Sequence, residues 1–238
     1  KVSLELGGKN PIIIFDDCNY NEMLNTTVRS SFGNQGQICL CGERIFIQES
    51  IYNKFKKDFV KETKKLKIGN PLKSNTNQGA IVSKEHYTKV LAYFDRARES
   101  GAKFITGGKS KSVKGTCSKG WFIEPSIIEN LDRNSDCYKE EAFGPVTSLH
   151  KFKNKEEVIA MANETKYGLS ASIWTSDLST AHQIARDIEF GIVWVNAWNL
   201  RDLRTPFGGM KDSGLGREGG NESMRFFSET KNVCINYD

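Results

Sequence analysis

The sequence predicts an α/β layered domain: a mainly parallel sheet flanked by helices. Three observations carry that prediction. Apolar runs such as Asn10-Pro11-Ile12-Ile13-Ile14-Phe15 lack polar alternation, as expected of strands covered on both faces. Other stretches space their apolar residues i, i+3, i+4, i+7, the helical period. The two kinds alternate along most of the chain, as in βαβ units.

The elements follow in order. Val2-Ser3-Leu4-Glu5-Leu6 alternates like a strand already under way on a chain without an initial Met, so a piece of a longer protein is expected. After the buried strand at 10–15, a helix is predicted over 21–31, ending at Gly33, and then a strand over 44–48. Ile51, Tyr52, Phe55, Phe59 and Leu66 mark an amphipathic helix closed by Gly69-Asn70-Pro71. Tyr87, Val90, Leu91 and Phe94 predict a helix over 83–100, with Ser83 as N-cap and Gly101 as the stop. A short strand at 103–106 leads into a Gly/Ser/Lys-rich segment, 107–120, read as a mobile loop. Strands are predicted at 121–129, 145–152, 169–174 and 192–195. Helices are predicted at 155–163 and around Ala181, Ile184, Ala185 and Ile188. Residues 196–220 read as a long Gly- and Arg-rich loop, followed by a helix from about Asn221 and a closing strand at 232–237.

Length and composition exclude several classes. A chain of 238 residues with 38% hydrophobic content can bury a sizeable core. The net charge of +5 is dispersed except for a lysine-rich run at 54–67, whose lysines form the wet face of an amphipathic helix. No aromatic residues interleave with those charges, which argues against a nucleic-acid surface. No apolar run approaches the ~20 residues that span a bilayer. Six cysteines without a CxxC pair and three scattered histidines predict neither a zinc site nor a disulfide framework. Such cysteine usage suits a reducing, cytoplasmic compartment.

Four stretches could carry chemistry. Phe32-Gly33-Asn34-Gln35-Gly36-Gln37-Ile38-Cys39-Leu40-Cys41-Gly42 brings Cys39 to the end of a helix through a polar turn, as a candidate nucleophile. A buried structural thiol is the alternative. Glu5, in Leu4-Glu5-Leu6-Gly7-Gly8-Lys9, sits beside two glycines that permit close approach, where a carboxylate can act as a base or simply be solvated. One strand and one helix separate Glu5 from Cys39, which in a parallel sheet predicts that both stand at the carboxyl edge. In Glu140-Glu141-Ala142-Phe143-Gly144-Pro145 a carboxylate could accept ribose hydroxyls and a phenyl ring could meet a nicotinamide face. Gly214-Leu215-Gly216-Arg217-Glu218-Gly219 matches GxGxxG, but no strand leads into it and no βαβ unit follows, so it reads as a loop.

Taken together, these blocks and the run from Pro206 to Gly219 resemble, in order and spacing, the signatures of the NAD(P)-dependent aldehyde dehydrogenase superfamily. The resemblance covers the full chain and implies the catalytic half of such an enzyme: a catalytic α/β domain at 1–210, then a C-terminal helix and oligomerisation strand at 211–238, with most of the cofactor domain upstream. It implies Cys39 as nucleophile, Glu5 as general base, and Glu141 and Phe143 as holders of the nicotinamide ribose and ring. It also implies an oxyanion bound by the Cys39 amide and an asparagine from the upstream half. NAD+ is the implied cofactor, with NADP+ as the alternative because the residue reading the 2′ position would lie upstream. A homo-oligomer, dimer or tetramer, formed through the final strand is implied as well.

Where several family members place further cysteines beside the nucleophile, Ile38 and Leu40 stand here. Cys41 is an i, i+2 neighbour, a spacing that rarely meets disulfide geometry. The loop Trp194-Val195-Asn196-Ala197-Trp198-Asn199-Leu200-Arg201-Asp202-Leu203-Arg204 would line the substrate mouth. With the wording around Cys39, it looks most like the branch that oxidises 2-hydroxymuconic or 2-aminomuconic semialdehyde. Arg201 is then expected to bind a substrate carboxylate, against the alternative that both arginines make surface ion pairs. Two other readings compete: a Cys/His hydrolase using His86, His150 or His182, and a folded domain without activity of its own.

Overall fold

The computed structural model describes residues 1–238. Strands β1 (Leu4–Glu5) and β2 (Asn10–Ile14) precede helix α1 (Tyr20–Phe32), which ends in a 3-10 turn, Gly33–Gly36. Strand β3 (Gly42–Gln48) leads to α2 (Tyr52–Thr63) and α3 (Lys84–Glu99). Four short strands follow: β4 (Lys103–Thr106), β5 (Ser110–Lys111), β6 (Phe122–Ile123) and β7 (Ser126–Glu129). Then come α4 (Asp136–Lys139), β8 (Val146–Phe152), α5 (Lys155–Asn163), β9 (Tyr167–Gly168) and β10 (Ser170–Trp174). The chain continues through α6 (Leu178–Asp187), β11 (Ile192–Val195), β12 (Met210–Lys211), β13 (Gly214–Leu215) and α7 (Gly220–Phe226).

Seven strands form the central sheet in the order β11-β10-β2-β3-β8-β7-β4. All neighbours are parallel except β4, which runs antiparallel to β7 at the edge. Because side chains alternate across a strand, the apolar run of β2 serves both faces. Ile13 and Phe15 join a cluster with Phe46, Phe94, Val158 and Ile184, while Ile12 and Ile14 join one with Ile45, Ile47, Phe55 and Phe59. Each such fully buried Ile or Phe contributes roughly 1.5–3 kcal/mol. Helices α1 and α2 thus cover one face and α3, α5 and α6 the other. Ser83, Asn154 and Asp177 cap helices α3, α5 and α6, each accepting a backbone N–H of the first turn.

Several expectations need correction. The opening strand lies outside the main sheet: β1 pairs only with β13, antiparallel. The segment 107–120 is not featureless, since β5 pairs with β6 and a 3-10 turn occupies Gly115–Cys117. The single strand predicted over 121–129 breaks between β6 and β7 around Pro125, which has no N–H to offer a ladder. The region read as one loop over 196–220 contains β12, which pairs with β9, and β13, which pairs with β1. Residues 232–237 form no strand in this chain. No strand lies alongside to complete a ladder, and Val233, Ile235 and Tyr237 stay exposed. No helix is long and apolar enough to cross a membrane.

Candidate active site

The polar turn after α1 sets the position of Cys39. Asn34, Gln35 and Gly36 all take left-handed backbone angles, at φ +48°, +58° and +69°. Glycine is required at the last of them, because a Cβ there would run into the Gly144 carbonyl. This close approach seats the turn on the loop that enters β8. Asn10 then clamps the next residues, its Nδ2 donating to the carbonyls of Cys39 (2.7 Å) and Cys41 (2.9 Å) while its Oδ1 accepts the Ser170 amide (3.0 Å). On the other side the Trp198 indole donates to the Leu40 carbonyl at 2.8 Å. Cys39 is left half-buried, and its own amide N–H donates to no other residue, which leaves it available as a donor to an oxyanion.

Glu141 is brought to the same place. Its Oε1 accepts the Gly8 amide at 3.0 Å, and a Cβ on Gly7 would overlap its Oε2, so the glycine pair makes the space that the carboxylate fills. Oε2 accepts nothing within the chain. Burial, then the neighbouring Glu43, pushes the Glu141 carboxyl up to about 7, against the pull of the Gly8 amide. Phe143 sits at φ +52°, its amide donating to Glu43 (2.9 Å) and its carbonyl bonded to His86 Nε2 (2.6 Å).

Charge ties the remaining groups together. Burial raises the Cys39 thiol, Glu141 and Glu5 raise it further, and the Cys39 amide and Arg201 oppose them. Burial and Glu218 raise Glu5, while Arg217 and Arg201 oppose. Cys39, Glu5, Glu141 and Arg201 therefore act on one another's charge. His86 is committed to Phe143, and His150 is buried against Ser148. The Arg201 guanidinium lies 4.1 Å from the Phe207 ring centroid and makes no ion pair or hydrogen bond within the chain. Arg204, by contrast, is held by both carboxylate oxygens of Asp202. A cavity of about 250 Å³ beside Arg201 is lined by Phe207, Arg217, Glu218, Phe226 and Phe227. No cluster of three or more His, Cys, Asp or Glu side chains could hold a metal ion.

The site stands at the opposite edge of the sheet from the one the strand order predicts. Cys39, Glu141 and Gly8 all precede the strands they serve, so the group stands at the amino ends of β3, β8 and β2 rather than the carboxyl edge. The prediction assumed that β1 is a rung of the parallel sheet, but Glu5 reaches the group from the separate β1–β13 pair. Sequence reasoning also missed Asn10, Glu43 and the buried part that Lys9 plays. Their signal was polar residues where buried strands begin, Lys9-Asn10 before Pro11 and Glu43-Arg44 before Ile45.

The chain is similar to known proteins along its length. The profile of the aldehyde dehydrogenase family matches residues 1–233. The 2-aminomuconic semialdehyde dehydrogenase of Mus musculus is 47% identical, covering all of this chain and 49% of that protein. The 2-hydroxymuconic semialdehyde dehydrogenase of Pseudomonas putida is 43% identical over 99% of this chain and 48% of its own length. The NAD+ complex of an aldehyde dehydrogenase from Bacillus cereus superposes with a TM-score of 0.94 at 36% identity, covering all of this chain and 48% of that one. The chain spans about half the length of the curated relatives it matches. Matched from end to end by relatives of one kind, in sequence and in backbone, this chain belongs to the aldehyde dehydrogenase family.

Proposed function

We propose that the protein carrying this chain oxidises an acidic semialdehyde to the carboxylate with NAD+, and that 2-hydroxymuconic or 2-aminomuconic semialdehyde is its substrate. The observation that carries the reading is that Asn10, two residues after Gly8, clamps the Cys39 segment while the Gly8 amide holds Glu141, with Glu5 and Arg201 near enough to act on the charge of the thiol. The Cys39 thiolate attacks the aldehyde carbon, forming a C–S bond as the carbonyl electrons move to oxygen, where the free Cys39 amide can donate. Because burial and two carboxylates, Glu141 and Glu5, hold the thiol up, Cys39 needs a proton acceptor, and this reading gives that role to Glu5. NAD+, when bound, supplies the hydride acceptor that leaves a thioester on Cys39. Glu5 then takes a proton from the water that attacks the thioester, and cleavage of the C–S bond releases the acid. The unpartnered Oε2 of Glu141 suits a ribose hydroxyl, and Phe143, half-buried next to it, suits a flat ring.

Arg201 gives the reading its substrate class. An unpaired guanidinium backed by an aromatic ring, with Arg204 already occupied by Asp202, is suited to a carboxylate at the far end of the substrate. The exposed alternation Val233, Ile235, Tyr237 suits addition to a partner's sheet in a homo-oligomer. The test compares the KM for 2-hydroxymuconic semialdehyde with that for benzaldehyde by NADH absorbance. In Arg201→Ala, the acidic substrate should lose about tenfold to a hundredfold relative to the neutral one, the size of a charge-assisted pair; Arg204→Ala should shift neither. An equal loss on both substrates in Arg201→Ala would remove the carboxylate role.

A further inference from the structure

Lys9 and Glu43 form an ion pair of 2.6 Å with only 1% and 4% of their surfaces exposed. Burial alone would lower the Lys9 ammonium, but Glu43 and Tyr93 more than reverse that and hold it charged. Such pairs are a poor route to stability, since desolvating two ions offsets their attraction. The remaining bonds of this pair all lead to the candidate active site. Glu43 Oε1 accepts the amides of Ala142 (3.1 Å) and Phe143 (2.9 Å), and Oε2 accepts the Ala142 amide as well (3.0 Å). Lys9 donates to the Tyr93 hydroxyl at 3.2 Å, which in turn donates to the Cys137 carbonyl in α4, just ahead of the same loop.

Three segments meet on one carboxylate. Glu43 follows Cys39 by four residues, and Lys9 follows Gly8, whose amide holds Glu141. The loop they grip is strained, since Phe143 is a bulky residue in the left-handed region, which costs roughly 1–2 kcal/mol. It needs a partner that over-determines it. We infer that Glu43, oriented by Lys9, is a positioning residue: a latch on the amides of Ala142 and Phe143 that fixes Glu141 and Phe143 against the Cys39 segment and so sets the affinity for the nicotinamide cofactor. The inference rests on reading Glu141 and Phe143 as the cofactor-holding pair.

Two double variants separate the latch from the ion pair. Lys9→Met with Glu43→Leu removes both charges and the acceptor; Lys9→Met with Glu43→Gln removes both charges but keeps a carbonyl oxygen for the two amides. In the whole protein, fluorescence titration should show the Kd for NAD+ weakened at least tenfold in the leucine pair and restored to within about threefold of wild type in the glutamine pair. A wild-type Kd in the leucine pair overturns the inference, as does equal weakening in both pairs. Glu141→Gln is measured alongside. If its Kd matches wild type, the cofactor reading of the loop fails and the latch's role in cofactor binding fails with it; if it weakens while the leucine pair does not, only the latch fails. Hydrogen exchange on the cofactor-free wild type decides the matter even where the leucine pair does not fold. The Ala142 and Phe143 amides should exchange at least a hundredfold slower than those of the surface segment 112–116, and equal rates overturn the inference.

Discussion

Replacing Asn10 by alanine should loosen the nucleophile segment at a calculable cost. The side chain is 2% exposed and makes three hydrogen bonds, two to the Cys39 and Cys41 carbonyls and one from the Ser170 amide. At a net of about 0.5–1.5 kcal/mol each, their loss amounts to about 3 kcal/mol. For a chain of this length that corresponds to a fall in Tm of about 6–12 °C. Urea unfolding checks the figure: the midpoint should move with little change in slope, because the surface exposed on unfolding is nearly the same. Alkylation of Cys39 by iodoacetamide should change in the folded variant, because the carbonyl next to the thiol has lost its anchor. A loss below about 1 kcal/mol with an unchanged alkylation rate would show that the β3 entry is held by its packing and that Asn10 is incidental.

Two further outcomes follow from the titrating groups. Glu141 is the largest charge raising the Cys39 thiol, so Glu141→Gln should move the pH profile of iodoacetamide inactivation to lower pH, while Arg201→Ala should move it higher; an unmoved or reversed profile contradicts these charge effects. Burial, then Arg44, Lys9 and Arg133, holds the His150 imidazole down at about 3 from an ordinary 6.5, so the folded state keeps it neutral where the unfolded chain binds a proton. Stability from this source is therefore complete above pH 6.5 and is lost as pH falls toward 3, on the order of 4 kcal/mol over that interval. In His150→Gln the urea midpoint should depend less steeply on pH there, and an unchanged slope would refute the assignment.

Local chemistry made most elements legible in the sequence. Lys155–Asn163, Lys103–Thr106 and Ile192–Val195 form where the periodicity placed them, and Ser83 caps α3 as read. What failed was non-local. Nothing in Leu4-Glu5 announces a partner more than 200 residues away in β13, and two-residue pairs such as β12–β9 have too few side chains for a pattern. The same reason put the site at the wrong edge: order along the chain was read as order in the sheet. Cys39 and Glu141 can be singled out as candidates because their motifs are contiguous in the chain. Asn10 and Glu43 were missed because their roles exist only once strands from different parts of the chain lie side by side.

The position of the site at the amino ends of the strands restricts which length changes it can tolerate. Cys39 stands three residues before β3 and Glu141 five before β8, and both strands are locked in register with neighbours on each side. An extra residue between thiol and strand could not be passed along the ladder, because a one-residue slip would turn the core face of the strand to the wrong side. It would have to bulge at the site itself and swing the thiol away from Glu141. The sheet thus acts as a ruler laid against the chemistry: side chains in these approaches can be exchanged to tune it, but the number of residues in them cannot.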